Sequence, residues 1–192
     1  HLISRVDHLI LGGGMANTFL AAKGYDMARS LMEADLLDIA GEILRRAEAQ
    51  NCTIHLPVDG QAAREFKQGA PSRTILNEGL AEDEMMLDIG PRAIADYSAV
   101  ISSAKCVLWN GPMGAFEIPP FDVGTSALAN AVAQATAAGD LVSIAGGGDT
   151  VAALNHAGCA DAFSYVSLAG GAFLEWIEGR ELPGIAFFDG AT

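Results

Sequence analysis

His8-Leu9-Ile10-Leu11-Gly12-Gly13-Gly14-Met15-Ala16-Asn17-Thr18-Phe19-Leu20 holds an apolar run, a glycine turn and the start of a helical pattern in one short stretch. An apolar run this short reads as a strand. The glycines after it let the chain turn into a helix with no Cβ in the way. The same order recurs along the chain: short apolar run, Gly- or Pro-bearing turn, helical stretch. That alternation predicts parallel strands joined by crossover helices.

The fold class expected is therefore α/β, a three-layer, Rossmann-like, doubly wound and mainly parallel sheet with helices on both faces. Outward from the first unit, Leu36, Ile39, Ala40, Ile43 and Ala47 follow helical spacing, with Glu42, Arg45, Arg46 and Glu48 turned to water. Thr53 to Leu56 reads as a strand closed by Pro57 and Asp59, and Lys67 to Thr74 as a long surface loop. After Met85 to Asp88, a helix from about Pro91 carries Ile94, Tyr97, Ser98 and Ile101 toward the core. Cys106 to Trp109 is a strand, Thr125 to Ala138 an Ala-rich helix, Leu141 to Ala145 a strand and Asp149 to His156 a helix. Tyr165 to Ser167, Gly170-Gly171 and Phe173 to Glu178 form a last strand-turn-helix unit, with Ile185 to Phe188 after it.

Composition agrees with this class. The 192 residues are 51% hydrophobic and only 18% charged, enough to bury one sizeable core, so residues 1–192 are read as a single domain. No apolar run approaches the roughly 18 residues of a bilayer span. With 24 acidic against 11 basic residues the net charge is -13, a field that repels nucleic acid and anionic lipid. Helix ends and a metal ion still hold phosphate locally on such a protein, because net charge is screened over about 8–10 Å. Cys52, Cys106 and Cys159 are odd in number and form no C-x-x-C pair, so reduced, small buried thiols and a cytoplasmic location are expected. The chain opens at His1 without a signal peptide, and His1 to Val6 read like the tail of a helix, so a fragment is expected.

Four glycine turns follow strands: Gly12-Gly13-Gly14, Ile89-Gly90-Pro91, Gly146-Gly147-Gly148 and Gly170-Gly171. A parallel sheet gathers such turns at its carboxyl edge, where α/β folds bind ligands. In Gly146-Gly147-Gly148-Asp149-Thr150, Asp149 can reach a magnesium ion and Thr150 a phosphate oxygen, or Asp149 can simply cap its own helix. Trp109-Asn110-Gly111-Pro112-Met113-Gly114-Ala115-Phe116-Glu117 suits a flat heterocycle, with Glu117 accepting from sugar hydroxyls, and suits equally a rigid Pro/Gly loop over core aromatics. No G-x-x-x-x-G-K-[ST] loop is present, no G-x-G-x-x-G opens a βαβ unit, and His8, His55 and His156 share no ligand spacing.

Together, Leu9 to Gly24 (L-I-L-G-G-G-M-A-N-T-F-L-A-A-K-G), Asp88 to Pro91 (D-I-G-P), Trp109 to Glu117, Gly146 to Thr150 and the late G-G-A-F-L-E-W-I-E-G-R-E-L-P-G resemble the carboxyl-terminal domain of phosphoglycerate kinases. The resemblance runs over essentially the whole chain. It implies a nucleotide-binding half of an enzyme that moves a phosphoryl group between 1,3-bisphosphoglycerate and ADP, or from ATP to 3-phosphoglycerate, without a covalent intermediate. By it, Gly13, Gly14 and Gly90 line an adenine slot, Glu117 holds ribose, and Asn110, Gly111, Pro112 and Met113 border sugar and phosphates. Gly147, Gly148, Asp149 and Thr150 carry the phosphate chain, with Asp149 on Mg2+. Gly170 and Gly171 present a second helix end, and Gly148 and Gly171 flank the phosphoryl group in transfer as catalytic positions.

Two departures stand out. The last glycine turn, S-T-G-G-G-A in the family, here reads Ser167-Leu168-Ala169-Gly170-Gly171-Ala172. The family's first strand-helix unit of this domain, with its two lysines, and its amino-terminal phosphoglycerate-binding domain are absent before His1. The fragment alone is thus expected to be a monomeric module without turnover. An NAD(P)-dependent oxidoreductase domain and a non-catalytic interaction domain are the other readings; the failed dinucleotide pattern speaks against the former.

Overall fold

A computed structural model of the chain describes residues 2–167. A 3-10 turn, Leu2–Ser4, leads into β1 (His8–Ile10) and α1 (Gly13–Ala22), and then α2 (Leu37–Ala49) returns the chain to β2 (Thr53–His55). β1 and β2 pair in parallel, with Leu9 against Ile54. The small Ala40 of α2 packs with Leu11, Ala16 and Phe19, and Ala47 packs with Ile3 and Cys52, so the helix lies close on its neighbours.

The next segment is an antiparallel sheet. β3 (Asp59–Ala63) is central, flanked by β4 (Ser72–Leu76) and β5 (Met85–Ile89), with an irregular register between Gln61 and Ala62. After it come α3 (Pro91–Ser103), β6 (Cys106–Trp109), α4 (Val123–Ala137), β7 (Val142–Gly146), α5 (Gly148–His156) and β8 (Tyr165–Ser167). β6, β7 and β8 are parallel throughout, so two parallel blocks and one antiparallel sheet are flanked by helices. The α/β class and its mainly parallel ladders stand as expected.

The main core draws on all of this second half: Ile89, Tyr97, Ile101, Trp109, Leu128, Val132, Leu141, Leu154 and Phe163 pack together. In α3, Ala93, Tyr97 and Ile101 recur one turn apart and are the buried residues. Pro91 opens that helix, where its missing N–H costs nothing. Tyr97 is buried to its hydroxyl, which donates to Leu11 O at 2.9 Å and His55 O at 3.2 Å, tying α3 to the carboxyl ends of β1 and β2. Burying such a ring contributes about 1.5–3 kcal/mol, and the two acceptors satisfy the phenol that goes in with it.

Several expectations change. Ser72 to Thr74, expected in the Lys67 to Thr74 loop, form the start of β4, and β3 was not foreseen at all. The β3 sequence, Asp-Gly-Gln-Ala-Ala, has no β-branched or alternating apolar pattern; its strand character comes from pairing on both edges. Leu36 and Ile39 are 43% and 52% exposed instead of packed, and Cys106 is exposed although Cys52 and Cys159 are buried. Leu168, Ala169, Gly170, Gly171 and the expected Phe173 to Glu178 and Ile185 to Phe188 elements lie outside the described residues. Among the described residues, no helix is long and apolar enough to cross a membrane.

The antiparallel sheet carries a fork of charge. Arg73 Nε donates to Glu84 Oε1 at 2.8 Å and Nη2 to Oε2 at 2.6 Å, while Ala81 N donates to Oε2 at 3.1 Å. These bonds, the arginine first, hold the Glu84 carboxyl down at about 2. A depressed carboxyl stabilises the fold above its ordinary pKa and loses that contribution as pH falls through the folded value. Glu84→Gln is expected to cost about 1–2 kcal/mol at neutral pH, discounted because the arginine stands half in water. Urea denaturation should show the gap between variant and parent closing as pH is lowered from about 4.5 toward 2.

Candidate functional site

An α-helix begins with backbone N–H groups that have no partner inside the helix, and these attract either a side chain or a ligand. The acidic residues of this chain fill two such ends. Asp59, buried, accepts from Arg92 N at 3.0 Å and Ala93 N at 2.8 Å at the start of α3. Asp88, also buried, accepts from Gly124 N at 2.7 Å in the first turn of α4 and from Ile89 N at 2.9 Å. At α1 the first amide is taken by main chain, Gly13 N donating to Met113 O at 2.9 Å.

The start of α5 differs. Gly147 precedes it at φ +95°, and among the described residues no side chain accepts from its first amides. A Cβ at Gly147 would also lie 2.7 Å from Asn110 Oδ1, so both backbone shape and space require glycine there. Gly148 and Asp149 are exposed. Asp149 is the second residue of the helix and bonds to no described residue, which removes the reading of it as its own helix's cap. No cluster of three or more His, Cys, Asp or Glu side chains suited to a metal ion occurs among the described residues. A single exposed carboxylate beside a helix start with open N–H groups nevertheless fits magnesium, which is commonly held by one or two carboxylates, substrate phosphates and water.

Between α1 and α5 lies the loop after β6. Gly111 N donates to Thr150 Oγ1 at 2.6 Å, Met113 N to Thr125 Oγ1 at 3.0 Å and Ala115 N to Leu87 O at 2.8 Å. Through these bonds the Gly12-Gly13-Gly14 turn, the 110–113 loop and the Gly147-Gly148 turn form one continuous rim. At its α1 end an apolar cavity of about 840 Å³ opens, with Leu11, Gly14, Phe19, Leu31, Ile39 and Ile43 among its walls. Leu31 and Met15 there are 78% and 62% exposed, apolar surface with nothing of the described chain over it.

The expected site residues fall into four groups. Gly13, Gly14, Asn110, Gly111, Pro112, Gly147, Gly148, Asp149 and Thr150 lie on the rim, and Glu117 stands exposed just beyond its loop. Met113 is buried beneath it, its main chain spent on Thr125 and Gly13, and a Cβ on Gly12 would come within 2.8 Å of its Cα and Sδ. Gly90 is not among the residues that line the cavity, and a Cβ there would strike the Asp59 carboxyl at 2.3 Å. It makes room for the acid that caps α3. Gly170 and Gly171 lie outside the described residues. His8 and His55 approach to 3.0 Å across β1 and β2, and His156 pairs with Asp122 at 2.8 Å, so neither serves the rim. Leu31, Thr125 and Asp88 were missed as parts of the site or its support, since their positions depend on chain folded far from them in sequence.

Comparison with known proteins bears on this arrangement. A family model described as phosphoglycerate kinase matches residues 1–180. The chain is 60% identical over 186 residues to a phosphoglycerate kinase of Cereibacter sphaeroides, covering 97% of this chain and 47% of that protein. Its fold is similar to the structure of phosphoglycerate kinase from Coxiella burnetii, with a TM-score of 0.91 and 45% identity over 96% of this chain and 47% of that one. It is also similar to phosphoglycerate kinase from Pyrococcus horikoshii OT3, with a TM-score of 0.79 and 29% identity over 95% and 45% of the two chains. The chain spans about half the length of the curated relatives it matches.

Asp88 sets the pH response of this region. Burial pushes its carboxyl up to about 7, against the two N–H donors that favour the charged form, and the Asp122 carboxylate adds to the push. A raised carboxyl binds more protons folded than unfolded, so stability is full below the ordinary value and falls as pH climbs to the folded one. The fall is on the order of 4 kcal/mol at most. Asp88→Asn should be less stable at low pH, because its amide cannot accept from both N–H groups. Its denaturation midpoint should stay flat where that of the parent declines, between pH about 4 and about 7.

Proposed function

The chain belongs to the phosphoglycerate kinase family, and on that premise we propose that its 192 residues are the nucleotide-binding domain of such a kinase, taking ADP or ATP along the rim described above. The observation that carries the reading is the start of α5, where, among the described residues, no side chain caps the helix and Asp149 stands exposed with no partner. Two other helix starts in the same molecule are closed by aspartates. A free helix end is worth about 0.3–1 kcal/mol toward an anion, so it acts here with Thr150 and the amides of Gly147 and Gly148.

In this reading the base rests against Gly13, Gly14 and the apolar wall at Leu31. Asn110, Gly111 and Pro112 border sugar and phosphates, and Glu117 accepts from the ribose hydroxyls. The phosphates lie over Gly147, Gly148 and Thr150. Magnesium, held by Asp149, would supply charge neutralisation on the phosphate chain. The transfer is an in-line displacement: a β-phosphate oxygen of ADP forms the new P–O bond as the bond to the acyl oxygen of 1,3-bisphosphoglycerate breaks, giving ATP and 3-phosphoglycerate. Gly148 and Gly171 border the moving group.

This chain has little positive charge for the second substrate. Its lysines are Lys23, Lys67 and Lys105, none of them in a glycine turn. We therefore assign the phosphoglycerate, and with it turnover, to the part of the relatives that this chain does not span. A soluble, cytoplasmic, monomeric enzyme is the corresponding picture of the whole.

Titration calorimetry of the chain with ADP tests the reading. Binding with Kd between about 10 μM and 1 mM is expected, tightened by Mg2+. Asp149→Ala should abolish the tightening while leaving metal-free binding within about twofold. Magnesium dependence that survives the substitution would overturn the assignment of Asp149.

A further inference from the structure

The 111–113 segment is suspended between two buried hydroxyls. Thr150 and Thr125 are each 1% exposed, one in the first turn of α5 and the other in the first turn of α4. Thr150 Oγ1 receives the amide of Gly111, and Thr125 Oγ1 receives that of Met113. Met113 O in turn receives Gly13 N, at the first residue of α1. Both main-chain groups of Met113 are thereby engaged, so the height of the loop and the position of the Gly13-Gly14 turn are set by one chain of bonds. Thr125 stands at its root. It is the third residue of α4, whose start is itself held by Asp88 through Gly124 N.

We propose that Thr125 is a positioning residue for the nucleoside end of the rim, fixing the Gly111–Met113 segment and, through Met113, the Gly13-Gly14 turn. This rests on the nucleotide reading given above. It differs from that reading in assigning a role to a residue that touches no part of the nucleotide. Nothing but a hydroxyl acceptor at this point answers the Met113 amide: valine has the same shape and no oxygen, and leaves a buried N–H without a partner. The start of α5 does not depend on the bond, since its amides come from its own backbone.

The consequence is a split between ligands. ADP engages both ends of the rim, and pyrophosphate only the α5 end. Calorimetry of the 192-residue chain with each ligand, beside Thr125→Val, Thr125→Ala and Thr125→Ser, reads it directly. Loss of roughly tenfold in ADP affinity is expected for the valine and alanine variants, with pyrophosphate affinity within about twofold of the parent and near-parental ADP binding for the serine variant. Affinities refer to the folded fraction, established from the thermal transition of each variant, and the alanine chain serves if the valine chain does not fold. Parental ADP binding in the folded valine or alanine variant overturns the proposal, as does an equal loss for ADP and pyrophosphate, the mark of a merely structural residue. A parent chain that binds neither ligand overturns the nucleotide reading, and this inference with it.

Discussion

Main-chain N–H and C=O groups cannot be buried without partners, and the loop after β6 is where this requirement is heaviest. The loop passes over the ends of β5 and β6 and the starts of α1, α4 and α5, and each of these meets one of its polar groups: Leu87 O, Thr125 Oγ1, Thr150 Oγ1 and Gly13 N. Trp109 Nε1 closes the list from the strand itself, donating to Gly111 O at 2.7 Å. Because each bond fixes a different element, the loop gathers separately folded units around one point. Glycines at Gly12, Gly114 and Gly124 permit the approach, since a Cβ on any of them would come within 2.8 Å of Met113 or Asp88.

The same accounting explains how an acidic protein keeps an anion-attracting helix end. Two aspartates are spent on helix starts, Asp59 at α3 and Asp88 at α4, and both are buried where solvent cannot compete. Asp149, by contrast, lies two residues past the cap position Gly147, is exposed and bonds to no described residue. Asp59 and Asp88 reach their helix starts from strands β3 and β5, whereas Asp149 sits on its own helix, and this placement separates buried structural carboxylates from an exposed one. Net charge of -13 opposes this only weakly, because it is spread over the whole surface and screened.

Glycine turns looked equivalent along the chain and are not equivalent in space. Gly90 accommodates Asp59, Gly13 gives its amide to Met113, and Gly147 combines a positive φ with a helix start that no described side chain closes. The difference lies in what stands opposite each turn, and the opposing groups come from residues 30 to 100 positions away. Strand β3 was invisible for a related cause: Asp-Gly-Gln-Ala-Ala has no intrinsic strand preference and is held by ladders on both sides. Leu31, with no periodic neighbours, gave no sign that it would wall a cavity.

Local pattern was enough for the α/β class, the parallel strands, the helices α2 to α5 within a few residues, and the family, because these follow from hydrophobic period, turn chemistry and contiguous motifs that one stretch of chain carries by itself. Tertiary structure decided the antiparallel sheet, the burial of Met113, the room that Gly90 leaves for Asp59 and the exposure of Asp149. Each of those depends on which polar group is met across a fold, and a hydrogen bond between distant residues leaves no trace in the spacing of either one.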